Sequence, residues 1–203
     1  MLIFFVRHAS AGERKANPVQ DEKRGLDELG IEQCHYAGHF LSAIDAHVEL
    51  VVTSPLKRCT QTAALINNEL GDEAPLKIDN SLRPTANFEA FRDLLRRCAR
   101  MEAIMVVGHN PNISRFLSLV LTGGADDRFM DLKKGTVARV DFSGKRSILN
   151  WMVTPKIAHA LHRGTQAEGE KSEAPAKPKK VRKILKKAHK AVQSSSRPKT
   201  SRK

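Results

Sequence analysis

Apolar positions along this chain fall into short unbroken runs, separated by longer stretches in which they recur every three or four residues. Leu2 to Val6 is wholly apolar and rich in branched and aromatic side chains, the pattern of a strand buried on both faces of a parallel sheet. Similar runs recur at Glu49 to Thr53 and Ala103 to Val107. Between them helical spacing links Leu29, Tyr36, Ala37 and Phe40 to Ile44, then Thr60 to Leu70, then Phe88, Phe91, Leu94, Leu95 and Cys98. Asp27 and Asn87 stand where the first and third of these helices need caps; Asn112 would cap a fourth, Ile113 to Leu121, which Gly123 and Gly124 end. Further on, Thr136 to Phe142 and Ser147 to Val153 flank a short turn containing Gly144 and read as an antiparallel hairpin. The alternation predicts a three-layer α/β/α fold: a mostly parallel sheet with the hairpin on its edge.

From about Gly164 the periodicity stops and Glu, Lys, Ala, Pro and Ser take over. The chain therefore divides into a domain at 1–163 and a basic tail at 164–203. The tail holds 13 Lys and Arg against 3 Glu, so +10 of the formal +13 charge lies there and the domain is nearly neutral. Such a composition buries too little apolar surface to offset its ordering entropy, so disorder is expected. Val181, Ile184, Leu185, Ala188 and Val192 nevertheless fall on one side of a conditional amphipathic helix. Clustered Lys and Arg suit non-specific binding of nucleic acid or another polyanion, and with no aromatic residue in the tail base stacking is not on offer. Cys34, Cys59 and Cys98 form no CxxC pair and read as packing residues in a reducing compartment. The opening apolar run stops at Arg7, too early for a signal peptide or a membrane helix. A soluble, cytoplasmic protein with no membrane partner is the expectation.

In a parallel sheet, loops at the carboxyl ends of strands converge with helix N-termini and form the ligand site. Three segments sit at such ends: Arg7-His8-Ala9, Ser54-Pro55-Leu56-Lys57-Arg58 and Gly108-His109-Asn110-Pro111. Two imidazoles and two guanidiniums could thus meet on one edge of the sheet, a set matched to a phosphoryl group: arginine for its oxygens, histidine for attack. No acidic cluster stands ready to hold a catalytic metal, and no cofactor is expected. His35 and His39, four apart on a predicted helix, have metal-compatible spacing but no third ligand in view, and read as helix-face residues.

The runs VRHAS, SPLKRCTQTA and VVGHNPNI, at 6–10, 54–63 and 106–113, resemble in kind and order the three signatures of the histidine phosphatase superfamily, whose founding fold is that of phosphoglycerate mutase. Cys59 departs from the usual alanine. The resemblance implies that His8 is a nucleophile, phosphorylated and then hydrolysed, and that Arg7, Arg58 and His109 surround the transferred group. Ser54, Asn110 and Arg24 would be substrate contacts, and no metal would be needed, since phosphoryl transfer rests on positioning and electrostatic stabilisation. His8 must attack as neutral imidazole, its other nitrogen donating to a backbone carbonyl.

Many members carry a glutamate general acid downstream of the second motif; here that stretch reads Ser81-Leu82-Arg83-Pro84-Thr85, with proline in its place and Glu89 as the alternative. Without an acid an alkoxide leaves poorly, whereas an imidazole leaves readily. Asp21 to Gly30 also resembles the Asp-x-x-Arg-Pro-Leu-Thr-x-x-Gly pattern of the SixA-type branch, the protein phosphohistidine phosphatases, with Gly25 for Pro and Asp27 for Thr. The resemblance thus points to a phosphatase whose partner is a phosphorylated phosphotransfer protein. A small-molecule or polyphosphate phosphatase, or a polyanion-binding protein on a vestigial phosphatase fold, are the alternatives.

Overall fold

The computed structural model of the chain describes residues 1–71, 74–125, 129–144, 146–168, 181 and 183–186. Strands β1 (Leu2–Arg7), β2 (Leu50–Thr53), β3 (Leu76–Ile78), β4 (Ala103–Gly108), β5 (Val137–Phe142) and β6 (Ser147–Val153) form one sheet in the order β3-β2-β4-β1-β5-β6. The first four in that order are parallel, and β5 and β6 close one edge as an antiparallel pair. Helices α1 (Pro18–Glu22), α2 (Glu28–Ala43), α3 (Lys57–Glu69), α4 (Phe88–Arg97), α5 (Asn112–Leu121) and α6 (Pro155–Glu168) complete a three-layer α/β/α fold.

The unbroken apolar run of β1 has the expected cause. Ile3 and Phe5 pack with Phe91, Leu94, Phe116 and Leu117 of α4 and α5, while Phe4 and Val6 enter the opposite cluster with Ala37, Leu41, Ala63 and Ile66 of α2 and α3. A strand with alternate side chains in two cores can afford no polar position. Asp27 caps α2, accepting from the Gly30 amide at 2.7 Å, and Asn87 caps α4, accepting from Ala90 at 2.9 Å. Gly123 and Gly124, with φ of 65° and 98°, turn the chain out of α5 as expected.

Asn112 does not cap α5. Pro111 holds that position without a side-chain bond, and the Asn112 amide instead donates to the carbonyls of Arg83, Pro84 and Ala86 at 3.2, 2.8 and 2.7 Å. A turn whose carbonyls crowd one amide outcompetes a single cap bond. Three elements carried no readable pattern: the five-residue α1, the three-residue β3, and α6. The last buries Ala158 and His162 while Ile157 and Leu161 are 46% and 49% exposed, so its apolar positions do not mark its inner face. It also runs past residue 163, where the sequence places the domain end. Of the predicted amphipathic segment, 181 and 183–186 are helical, with Val181 buried and Ile184 and Leu185 packed against the cluster under α2 and α3. Residues 187–192 lie outside the described residues, as does most of the tail. Among the described residues no helix is long and apolar enough to cross a membrane.

Candidate active site

The three motif segments meet because β2, β4 and β1 are neighbours and end level with one another. The His8 amide donates to the Gly108 carbonyl at 3.0 Å and the Ser54 amide to Val107 at 3.0 Å, so backbone bonds fix the spacing of the segments that carry the side chains. The rings of His8 and His109 lie 5.1 Å apart, edge to face. The loop after β1 is tied to α2 through Asp27, whose carboxylate also accepts from the Ser10 hydroxyl at 2.8 Å and the Gly12 amide at 2.6 Å. Gly30 permits that approach: a Cβ there would stand 2.0 Å from the Ser10 carbonyl oxygen.

The Nδ1 of His8 lies 2.8 Å from the Ala9 carbonyl. A carbonyl can only accept, so Nδ1 carries the proton and Nε2 keeps the lone pair, the state that attack on phosphorus requires. Burial drives the His8 pKa down to about 3; the bond to Ala9 opposes this, and the charges of Arg58, Arg7 and Arg24 add to it. Burial likewise lowers His109 to about 2, helped by His8 and Arg58. Both rings are therefore neutral at physiological pH.

Arg58 is 6% exposed and donates from Nη1 to the Asp21 carbonyl at 2.9 Å. Arg7 donates from Nη1 to the Leu132 carbonyl at 2.7 Å. The Nε atoms of both are buried with no hydrogen-bond partner. The guanidiniums of Arg7, Arg24 and Arg58 against the carboxylate of Asp21, beside two neutral imidazoles, leave the site electropositive. It is built for an anion.

Ser54 and Asn110 both lie at this edge. The Ser54 hydroxyl lies 2.9 Å from His109 Nε2, while Asn110 donates to Asp131 and Leu132, each at 3.0 Å, and accepts from Ser114 at 2.6 Å. Each orients a neighbour. Arg24 donates from Nη1 to Ala11 at 2.7 Å and from Nε to Asp21 at 2.8 Å, which lodges it between the loop after β1 and α1.

Asp21, which opens the segment quoted for Arg24, is a site residue that the motifs did not single out. Its carboxylate lies 2.8 Å from Arg24 and 3.3 Å from Arg58. Burial resists its ionisation, but the bonds from Arg24 and the Lys15 amide, with the charges of Arg24 and Arg58, bring its pKa down to about 2. Thr62 was also missed; it accepts from the Ala9 amide at 3.1 Å and donates to the Arg58 carbonyl at 2.7 Å, tying two motifs together. Cys59 is more than a tolerated alanine replacement, since its Sγ lies 3.3 Å from His109 Nε2. Burial pushes its pKa well up, so it stays a thiol. Glu89 is 60% exposed and pairs with Arg92 and Arg96 on the outside of α4. As the side chains stand, no group of three potential ligands among the described residues could hold a metal.

Fold and site together define an α/β protein with a histidine- and arginine-lined site at the carboxyl ends of its parallel strands. Residues 3–87 match the model of the histidine phosphatase superfamily (branch 1), the family this chain resembles over that stretch. Over 140 residues it is 29% identical to an uncharacterised protein of Picosynechococcus sp., covering 68% of this chain and 82% of that protein. Over 83 residues it is 31% identical to a broad-specificity phosphatase of Saccharomyces cerevisiae, covering 40% of this chain and 36% of that enzyme. Among solved structures, the protein histidine phosphatase SixA in complex with tungstate superimposes with a TM-score of 0.68 at 19% identity, over 77% of this chain and 98% of that one. The α-ribazole phosphatase of Shigella flexneri does so with a TM-score of 0.58 at 18% identity, over 76% and 97%. These two likenesses show the fold.

Proposed function

We propose that this phosphatase works without a metal through a phosphohistidine intermediate on His8, and that it removes phosphate from phosphohistidine in a phosphotransfer protein. One observation carries the mechanism: a buried neutral His8 with its Nε2 lone pair free, beside Arg7 and Arg58 whose buried Nε donors have no partner. Nε2 attacks phosphorus and the bond to the leaving nitrogen breaks. Arg7, Arg58 and His109 stabilise charge on the equatorial oxygens. Water then attacks the phosphorus on His8, releases phosphate and restores the neutral ring.

The substrate follows from proton supply. Asp21, the carboxylate among these cations, is held ionised by Arg24 and Arg58 and has no proton to give. Pro84 occupies the expected place of the acid, with its carbonyl bound to Asn112. A phosphohistidine carries its own second nitrogen, which takes a proton from solvent, so the group leaves as neutral imidazole. An alkyl phosphate must expel an alkoxide.

The test compares kcat/KM for a phosphohistidine protein, an activated aryl phosphate and an alkyl phosphate. The first two should exceed the third by at least about 100-fold, the lower end of what a general acid contributes. Equal rates for all three would show that a general acid exists and would favour a small-molecule substrate, the reading supported by the likeness to the yeast broad-specificity enzyme.

A further inference from the structure

A neutral imidazole carries one N–H, so one nitrogen of His109 donates and the other accepts. Burial lowers the His109 pKa to about 2, and the neutral ring therefore serves a phosphoryl oxygen only through that single N–H. A lone pair aimed at the same oxygen would repel it. Which nitrogen holds the proton decides whether His109 helps or hinders phosphoryl transfer.

Two side chains of the second motif reach the ring. The Ser54 hydroxyl, just past β2, lies 2.9 Å from Nε2, and the Cys59 thiol, on α3, lies 3.3 Å from Nε2 and 3.8 Å from Nδ1. Ser54 and Cys59 are 0% exposed and His109 is 2% exposed, so the three groups must place their protons on one another or on nearby backbone. The thiol donates to the Gly108 carbonyl at 3.5 Å, which leaves its sulfur as a weak acceptor. The Ser54 oxygen accepts from the Leu56 amide at 3.5 Å. Its own proton has two acceptors within reach, the Nε2 lone pair and the Cys59 sulfur. Nitrogen is the stronger of the two, and 2.9 Å is the length of a full hydrogen bond. The opposite arrangement is worse on two counts. With the proton on Nε2, the buried hydroxyl would have only sulfur to donate to. Nδ1, the nitrogen that Ser54 leaves free, would then offer a lone pair beside arginines that attract an anion.

We propose that Ser54 is a positioning residue: by donating to Nε2 it holds His109 as the Nδ1–H tautomer, so that a neutral ring donates to an equatorial oxygen of the transferred phosphoryl group. This role rests on the phosphatase reading, and it stands in place of the substrate contact that the sequence implies for Ser54. His8 shows the opposite device in the same pocket. The Ala9 carbonyl takes its Nδ1 proton and leaves Nε2 a lone pair for attack. A backbone acceptor makes one ring a nucleophile, and a side-chain donor makes the other an electrostatic partner. Cys59 packs against the ring without placing its proton.

The test is nitrogen NMR of the full chain with labelled histidine, beside kinetics on an activated aryl phosphate; His109→Ala identifies the signals of that ring. At neutral pH the wild type should show Nδ1 of His109 with an attached proton and Nε2 bare. Ser54→Ala should shift the ring towards the Nε2–H form, whereas Ser54→Thr, which keeps a hydroxyl, and Cys59→Ala should not. Ser54→Ala should lower kcat at least about tenfold with KM changed far less, since a donor aimed at developing charge acts in the transition state. Ser54→Thr should recover most of the rate. In a His109→Ala background Ser54→Ala should have no further effect, as expected of a residue that acts through another. A protonated Nε2 in the wild type, a Ser54→Ala enzyme as active as the wild type, or additive losses in the double variant overturns the role of Ser54. A wild type that hydrolyses neither phosphohistidine nor aryl phosphate overturns the phosphatase reading instead, and the ring spectrum still decides the tautomer.

Discussion

His8 is held in one tautomer by a single backbone contact and in one charge state by burial, and these two facts set what can be measured at that residue. His8→Ala removes the nucleophile and should lower turnover by at least about 10³, as triad nucleophiles do when removed. The buried ring also packs, so a loss of about 1–2 kcal/mol in stability is expected, read from the denaturant midpoint. The same burial makes stability depend on pH. His8 and His109 titrate far below 6.5 in the folded chain but near 6.5 when unfolded. Below pH 6.5 the unfolded chain therefore takes up protons that the folded chain refuses, and stability falls as pH falls, by up to about 1.4 kcal/mol per pH unit for each ring. Between pH 6.5 and 5, where carboxylates do not yet titrate, His8→Ala should show a shallower fall than the wild type. Equal slopes would mean that His8 is not buried as a neutral ring.

Among the elements, the junction between the loop after β1 and the start of α2 is where the fold and the site depend on one another. Asp27 caps the helix and holds the loop that follows the nucleophile, and Gly30 lets the two backbones touch. Gly30→Ala forces a Cβ into the Ser10 carbonyl, so the loop or the helix must move. A loss of more than about 3 kcal/mol is expected, beyond the effect of an ordinary substitution. Asp27→Ala loses the cap, worth about 1–2 kcal/mol, and frees Ser10 and Gly12. Asp27→Thr should recover much of the cap but not both loop bonds, since one hydroxyl oxygen replaces two carboxylate oxygens. Thermal melts with parallel activity assays separate the effects: the cap governs stability, the loop bonds govern turnover. The cap was legible in the sequence because it acts over three residues, whereas the reach of Asp27 back to Gly12 spans a loop whose path no local pattern records.

For the whole molecule, the division between domain and tail is open to test, and we propose that the tail is the polyanion-binding part. The chain cut after Glu168 should keep turnover of an aryl phosphate and lose most affinity for DNA or polyphosphate, while the full chain's affinity should fall steeply with salt. Val181 is buried against the cluster beside α2 and α3, so the cut chain should also melt lower. Retained polyanion binding would put the relevant charge on the domain. The alternation of β1, β2 and β4 with α2 to α5, the edge hairpin, the buried character of β1 and the three strand-end motifs were set by sequence alone, because burial on two faces leaves a run and a cap leaves a residue at fixed spacing. What lies near what across the helical layers was decided only by folding. Asp21 meets Arg58 across 37 residues, Asn112 meets the turn at Arg83 to Ala86, and His162 meets His35 and His39 across more than a hundred. Each of these contacts depends on the angle and register at which packed elements come to rest, and side-chain packing over the whole core fixes that, with no trace in the local spacing of residues.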